Sequence, residues 1–150
     1  MGTRRKAREK ALQMLFQLDF HNEDAETICT TFWKGNPVGQ KVREFAEELV
    51  KGTCANRENI DNMISATMEN WTLDRLASVD KAVLRLATYE LIYMADIPSN
   101  VTINEAVEIA KNYGTEESGR FVNGILDRIR GQFAKPNASK NLIETQECKE

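Results

Sequence analysis

Five cations, Arg4, Arg5, Lys6, Arg8 and Lys10, fall within the first ten residues against a single acid, Glu9. Guanidinium groups present a planar fork of donors that holds phosphate oxygens in pairs, and they can also stack on bases. On a helix Arg4 and Arg8 share a side, four residues apart, with Arg5 beside them. The formal net charge is −3, so with +4 gathered in this segment the other 140 residues carry −7. A basic arm on an acidic body points to a local anionic partner rather than to a surface that coats nucleic acid indiscriminately. Arginine-rich segments often order on RNA, but a solubilising terminus has the same composition. Chemistry alone leaves both readings open.

Arg120 and Phe121 form a second candidate surface at the start of the last helical segment. Free N–H groups and the helix dipole favour an anion there, and an aromatic ring can stack on a base. By periodicity Phe121 also belongs to an apolar stripe. Asp80 and Glu90 interrupt an otherwise apolar segment, and read either as its one solvated edge or as a partner-facing patch.

Catalytic constellations are missing from the pattern. His21 is the one histidine and lies in a polar stretch, with no base, nucleophile or metal set near it in sequence. No phosphate-binding glycine loop, metalloprotease helix or nucleophile elbow occurs. Adjacent carboxylates such as Glu47 and Glu48 diverge on a helix. The expectation is a binding protein, not an enzyme, with no cofactor or metal. Cys29, Cys54 and Cys148 are odd in number and scattered, which fits a reducing compartment better than a disulfide framework. No signal peptide or membrane span is expected, so the cytoplasm is the expected location.

The elements that must position these residues are helical throughout. Ala7, Ala11, Leu15 and Leu18 step along one face, widened by Leu12 and Phe16, and predict a helix to about Phe20. A weaker helix is expected from Asp24 to Trp33, ended by Gly35-Asn36-Pro37. Val42, Phe45, Ala46, Leu49 and Val50 mark the next, and Ile60, Met63, Ile64 and Thr67 another. Ser78 to Ala95 is apolar nearly all round, as suits the centre of a bundle, and Asp96-Ile97-Pro98 ends it. Thr102 to Glu105 has capping-box spacing and would open a helix that stops at Gly114. Thr115 or Ser118 could cap the last helix, which buries Phe121, Val122, Ile125, Leu126 and Ile129. Gly124 inside it suggests a close helix approach, since glycine there costs about 1 kcal/mol against alanine. Residues 131–150 read as a polar, unstructured tail.

The fold class is therefore all-α, with about seven helices. An N-terminal group packed against a C-terminal group is the simplest arrangement. At 150 residues, with 41% hydrophobic and 29% charged, the chain fits one domain with a genuine core.

Four ordered motifs are similar to the NusB family of transcription antitermination factors. They are Arg4-Arg-Lys-Ala-Arg-Glu9 with Ala11-Leu-Gln13 and Phe16-Gln17, then Ser78 to Leu91, then Asp96-Ile-Pro98 with Ile103 to Lys111, and Phe121 to Asp127. The resemblance spans residues 4 to about 130. It implies two packed small helical bundles, residues 4–70 and 73–130, within one domain over residues 1–130. It implies binding to the boxA element of ribosomal RNA leaders together with NusE, a small-subunit ribosomal protein, in a bacterial RNA polymerase antitermination complex. On this resemblance Arg4, Arg5, Lys6 and Arg8 match the basic RNA-binding motif, and Glu117, Arg120 and Phe121 match a second RNA-facing segment. Phe16 and Asp80 match positions that meet NusE, although Phe16 stands where a tyrosine is familiar. A related helical domain heads some ribosomal RNA methyltransferases, whose cofactor-binding glycine loop these residues do not contain. From another class, the rival is a helical adaptor that binds only protein.

Overall fold

The computed structural model describes residues 2–21, 23–68 and 72–133. Among them are seven α-helices, two short 3-10 turns and no strand. The helices are α1 (Gly2–Phe20), α2 (Ala25–Thr31), α3 (Gln40–Ala55), α4 (Arg57–Ala66), α5 (Ser78–Tyr93), α6 (Ser99–Tyr113) and α7 (Glu116–Phe133).

Local chemistry sets most of the ends. The Asp24 carboxylate accepts from the Thr27 N–H at 2.8 Å and caps α2. Pro37 falls in the extended stretch between Phe32–Lys34 and α3, where a missing N–H costs nothing. Thr115 and Ser118 cap α7 reciprocally: the Ser118 N–H donates to the Thr115 hydroxyl and the Thr115 N–H to the Ser118 hydroxyl, each at 3.2 Å.

The start of α6 departs from the expected capping box. The helix begins three residues earlier, at Ser99, directly after Pro98. Thr102 is buried within it, and its hydroxyl donates to Glu90 Oε1 at 3.0 Å. Glu105 is likewise taken by a residue of another helix, so neither side chain caps. At the other end α7 runs on to Phe133, past the expected boundary at 130. The rest of the expected tail, residues 134–150, lies outside the described residues.

α5 is the hub. It packs against α1, α3, α4, α6 and α7, while α6 with α7 and α1 with α3 make the most extensive pairings. One hydrophobic core runs from Ala7 and Met14 through Leu49, Ile60 and Leu84 to Ile109, Leu126 and Ile129. The near-continuous apolar run of α5 is what lets it be covered on several sides.

Gly124 is not a contact point. A Cβ placed there would meet nothing within 4 Å, whereas one at Gly52 would meet the Tyr89 ring at 2.1 Å. The close approach is therefore between α3 and α5, with Gly52 making room for Tyr89, which stacks on Tyr93 at 5.5 Å.

Candidate nucleic-acid interface

The basic segment is the first two turns of α1, and its cations are not equivalent. Arg4 and Lys6 are exposed. Arg4 lies over the Phe45 ring of α3, 4.7 Å from guanidinium carbon to ring centroid, a contact that fixes the side chain without using its donors. Arg5 donates from Nε and Nη2 to the two oxygens of Glu105 on α6, at 2.6 and 2.8 Å. That hydrogen bond holds the Glu105 carboxyl below the usual carboxylate range, against the opposing effect of burial.

Arg8 corrects the expectation that all four residues of the motif face RNA. It does share a side with Arg4, lying 5.7 Å from the same Phe45 ring, but unlike the exposed Arg4 it turns inward. Arg8 is 3% exposed, and its Nε and Nη2 donate to both oxygens of Glu90 at 2.7 and 2.9 Å. Its Nε–Nη2 edge is filled by Glu90, and burial keeps a phosphate from the rest of the guanidinium. Glu90 is corrected with it. At 1% exposed it marks no solvated edge of α5, and Thr102 completes its hydrogen bonding.

The second segment opens onto a cleft of about 340 Å³, lined by Arg75, Leu76, Asp80, Thr115, Glu117 and Phe121 among others. Asp80 on α5 and Phe121 on α7, expected to serve a protein partner and RNA respectively, thus line one cleft. Phe121 is half-buried, packed against the core on one side and facing the cleft on the other. Glu117 and Arg120 are both well exposed and lie 3.5 Å apart on α7. Phe16 does not line this cleft. It is half-buried on α1 and packs at 4.9 Å against Phe20, which is 62% exposed.

α6 joins the two regions. Arg5 meets Glu105 at the middle of α6, and Gln13 donates to the Tyr113 hydroxyl at 3.2 Å at its C-terminal end. The constant offset means that α1 and α6 run parallel over this stretch, on the order of 12 Å at 1.5 Å per residue. Tyr113 is exposed and immediately precedes the turn into α7. Gln13, Glu105 and Tyr113 escaped the sequence reading as site residues, because nothing local ties a residue to one a hundred positions away.

His21 is exposed just past α1, as a solvated residue should be. Burial pushes the Cys29 thiol up to about 11, with Glu47 adding to the effect, which leaves it an inert core group. Among the described residues no helix is long and apolar enough to cross a membrane.

Fold and site together define a class: an all-helical protein with cations on its first helix and a cleft at the start of its last. The profile of the NusB family matches residues 5–130, and the chain belongs to that family. The transcription antitermination protein NusB of Anaeromyxobacter sp. (strain Fw109-5) is 50% identical over 127 residues, which cover 84% of this chain and 88% of that protein. T. maritima NusB has a TM-score of 0.84 at 46% identity, covering 92% of this chain and 97% of its own. A crystal structure of the antitermination factors NusB and NusE in complex with dsRNA has a TM-score of 0.80 at 29% identity, covering 89% of this chain and 99% of the matched one.

Proposed function

We propose that this protein is a transcription antitermination factor that binds boxA-type RNA together with the ribosomal protein NusE, within a cytoplasmic complex that modifies RNA polymerase. It acts by binding, not by catalysis. The observation that carries the RNA reading is the pair of exposed cations, Arg4 and Lys6, held on an ordered helix that α6 connects to the cleft of Phe121. Arg4, Arg5 and Lys6 take phosphates, while Phe121 and Arg120 meet a base or phosphate at the start of α7. Glu117 borders that site and tempers its positive charge. Phe16, with its neighbour Phe20, and Asp80 serve NusE. Because Asp80 and Phe121 line the same cleft, the partner and the RNA meet there, and each strengthens the binding of the other.

The test is RNA binding by fluorescence anisotropy, with and without NusE, comparing a boxA-type oligonucleotide with a scrambled one. Replacing both Arg4 and Lys6 by alanine should weaken binding of either sequence to a similar degree, because phosphate contacts carry no sequence information. Loss of the preference for boxA in both states would favour a protein-only adaptor.

A further inference from the structure

The Arg5–Glu105 pair occupies the same fork that an arginine offers to a phosphate. Both Nε and Nη2 of Arg5 are committed to the two carboxylate oxygens. The pair sits at the protein edge, with side chains 42% and 22% exposed. Solvent screening leaves such a pair little net stability, so an incoming phosphodiester, which offers two anionic oxygens in the same geometry, can displace it. The neighbouring Arg8–Glu90 pair is the opposite case. Its side chains are 4% and 2% exposed, and opening it would strand a charge in the core.

Glu105 also has somewhere to go. Its Oε1 lies 3.9 Å from Nη1 of Arg8, the one part of that guanidinium Glu90 does not hold. A carboxylate released by Arg5 is therefore not orphaned. Arg5 is in turn the one cation of the arm that is both partly exposed and covered by a carboxylate from another helix.

We propose that Glu105 is an internal competitor for RNA phosphate: the free protein keeps the fork of Arg5 closed on Glu105, and a phosphate opens it as Glu105 turns to Arg8. The inference rests on the RNA-binding reading of α1. It makes Glu105 an affinity-setting residue. While the pair is closed, Arg5 projects almost no field to attract passing polyanions. It adds to binding only when a phosphate comes close enough to replace both hydrogen bonds.

The experiment is a double-mutant cycle with Glu105→Gln and Arg5→Ala, read by anisotropy of the same boxA-type oligonucleotide at fixed salt. Glu105→Gln removes the competing charge and keeps the side-chain shape. It should tighten binding by about two- to fivefold, the range spanned by a solvent-exposed ion pair. Arg5→Ala should weaken binding, and in its background Glu105→Gln should have no effect. A gain that persists without Arg5 would be a general field effect and would overturn the proposal. Unchanged or weaker binding by Glu105→Gln, with Arg5→Ala still harmful, would overturn it while leaving the RNA reading intact. Should the Arg4, Lys6 and Arg5 substitutions all leave RNA binding unchanged, the RNA reading itself fails. In the unsubstituted protein, where folding is not at issue, the Arg5 Nε–H resonance should move on adding RNA, while the Arg8 Nε–H should stay protected from solvent exchange by its hydrogen bond to Glu90. An unmoved Arg5 resonance in an RNA complex would count against the opening.

Discussion

Arg8 belongs at the residue scale as a structural ion rather than a ligand-binding one. With Glu90 and Thr102 it forms a buried, hydrogen-bonded set joining α1, α5 and α6. Replacing Arg8 by alanine leaves Glu90 as an uncompensated buried charge, and should cost about 3–5 kcal/mol in a urea unfolding experiment. Replacing the pair together, Arg8→Met with Glu90→Leu, should restore most of that loss, because neither charge is then stranded. An RNA-binding defect in an Arg8→Ala protein would therefore report damaged folding. Glu105 supplies a pH test. Its folded-state carboxyl lies below the usual range because of Arg5. Its contribution to stability is then fully present above the unfolded value of about 4.3, and is lost as pH falls through the lower folded value. The stability difference between the parent and Glu105→Gln should shrink as the pH is taken from 7 down through that window. The spacing of Arg4, Arg5, Lys6 and Arg8 showed in the sequence that they cluster. Which of them would be buried depended on Glu90 and Glu105, carboxylates that only the tertiary fold brings to α1.

At the scale of elements, apolar periodicity made seven helices legible, because each buries one face and the spacing of that face is local. The capped start of α7 was readable because the hydroxyls of Thr115 and Ser118 are local to it. The α6 start was not. Thr102 and Glu105 have the spacing of a cap, but tertiary partners on α5 and α1 claimed both side chains. Gly52 and Gly124 show the same limit, since either glycine could have marked a close contact. Substitution separates them. Gly124→Ala meets open space and should stabilise by about 0.5–1 kcal/mol through helix propensity alone. Gly52→Ala drives a methyl into the Tyr89 ring, which must leave its stack on Tyr93; overpacking of this kind costs about 1–3 kcal/mol. In a Tyr89→Ala background the obstruction is gone, so the same Gly52→Ala change should become stabilising. Thermal or urea unfolding of the four variants reads the reversal of sign directly.

For the whole molecule the question is how much of the charge asymmetry reaches an RNA. The body is acidic at −7, so the attractive field is confined to the region of α1, and at the start of α7 Glu116 and Glu117 outweigh Arg120. Counting cations in the sequence gives Arg4, Arg5, Lys6, Arg8, Lys10 and Arg120. Six phosphate contacts on a single strand would give a salt slope near −4, at about 0.7 per contact. The fold removes Arg8 into the core, and the exposed Glu117 beside Arg120 offsets its charge, so a base contact there adds little to the slope. That leaves Arg4, Lys6 and Lys10, joined by Arg5 once its fork opens, or about three or four contacts and a slope between about −2 and −3. Measuring affinity for a boxA-type oligonucleotide across a series of salt concentrations gives that slope without any substitution. A value near −4 would mean that the Arg8–Glu90 pair does not survive binding and that the first turns of α1 leave α5 to meet the RNA. A slope near zero would remove phosphate contacts from the mechanism altogether. Repeating the titration with NusE present then separates the two parts of the proposal. Contacts contributed by the partner should steepen the slope, whereas tightening that comes only from ordering the cleft of Asp80 and Phe121 should raise affinity with the slope unchanged.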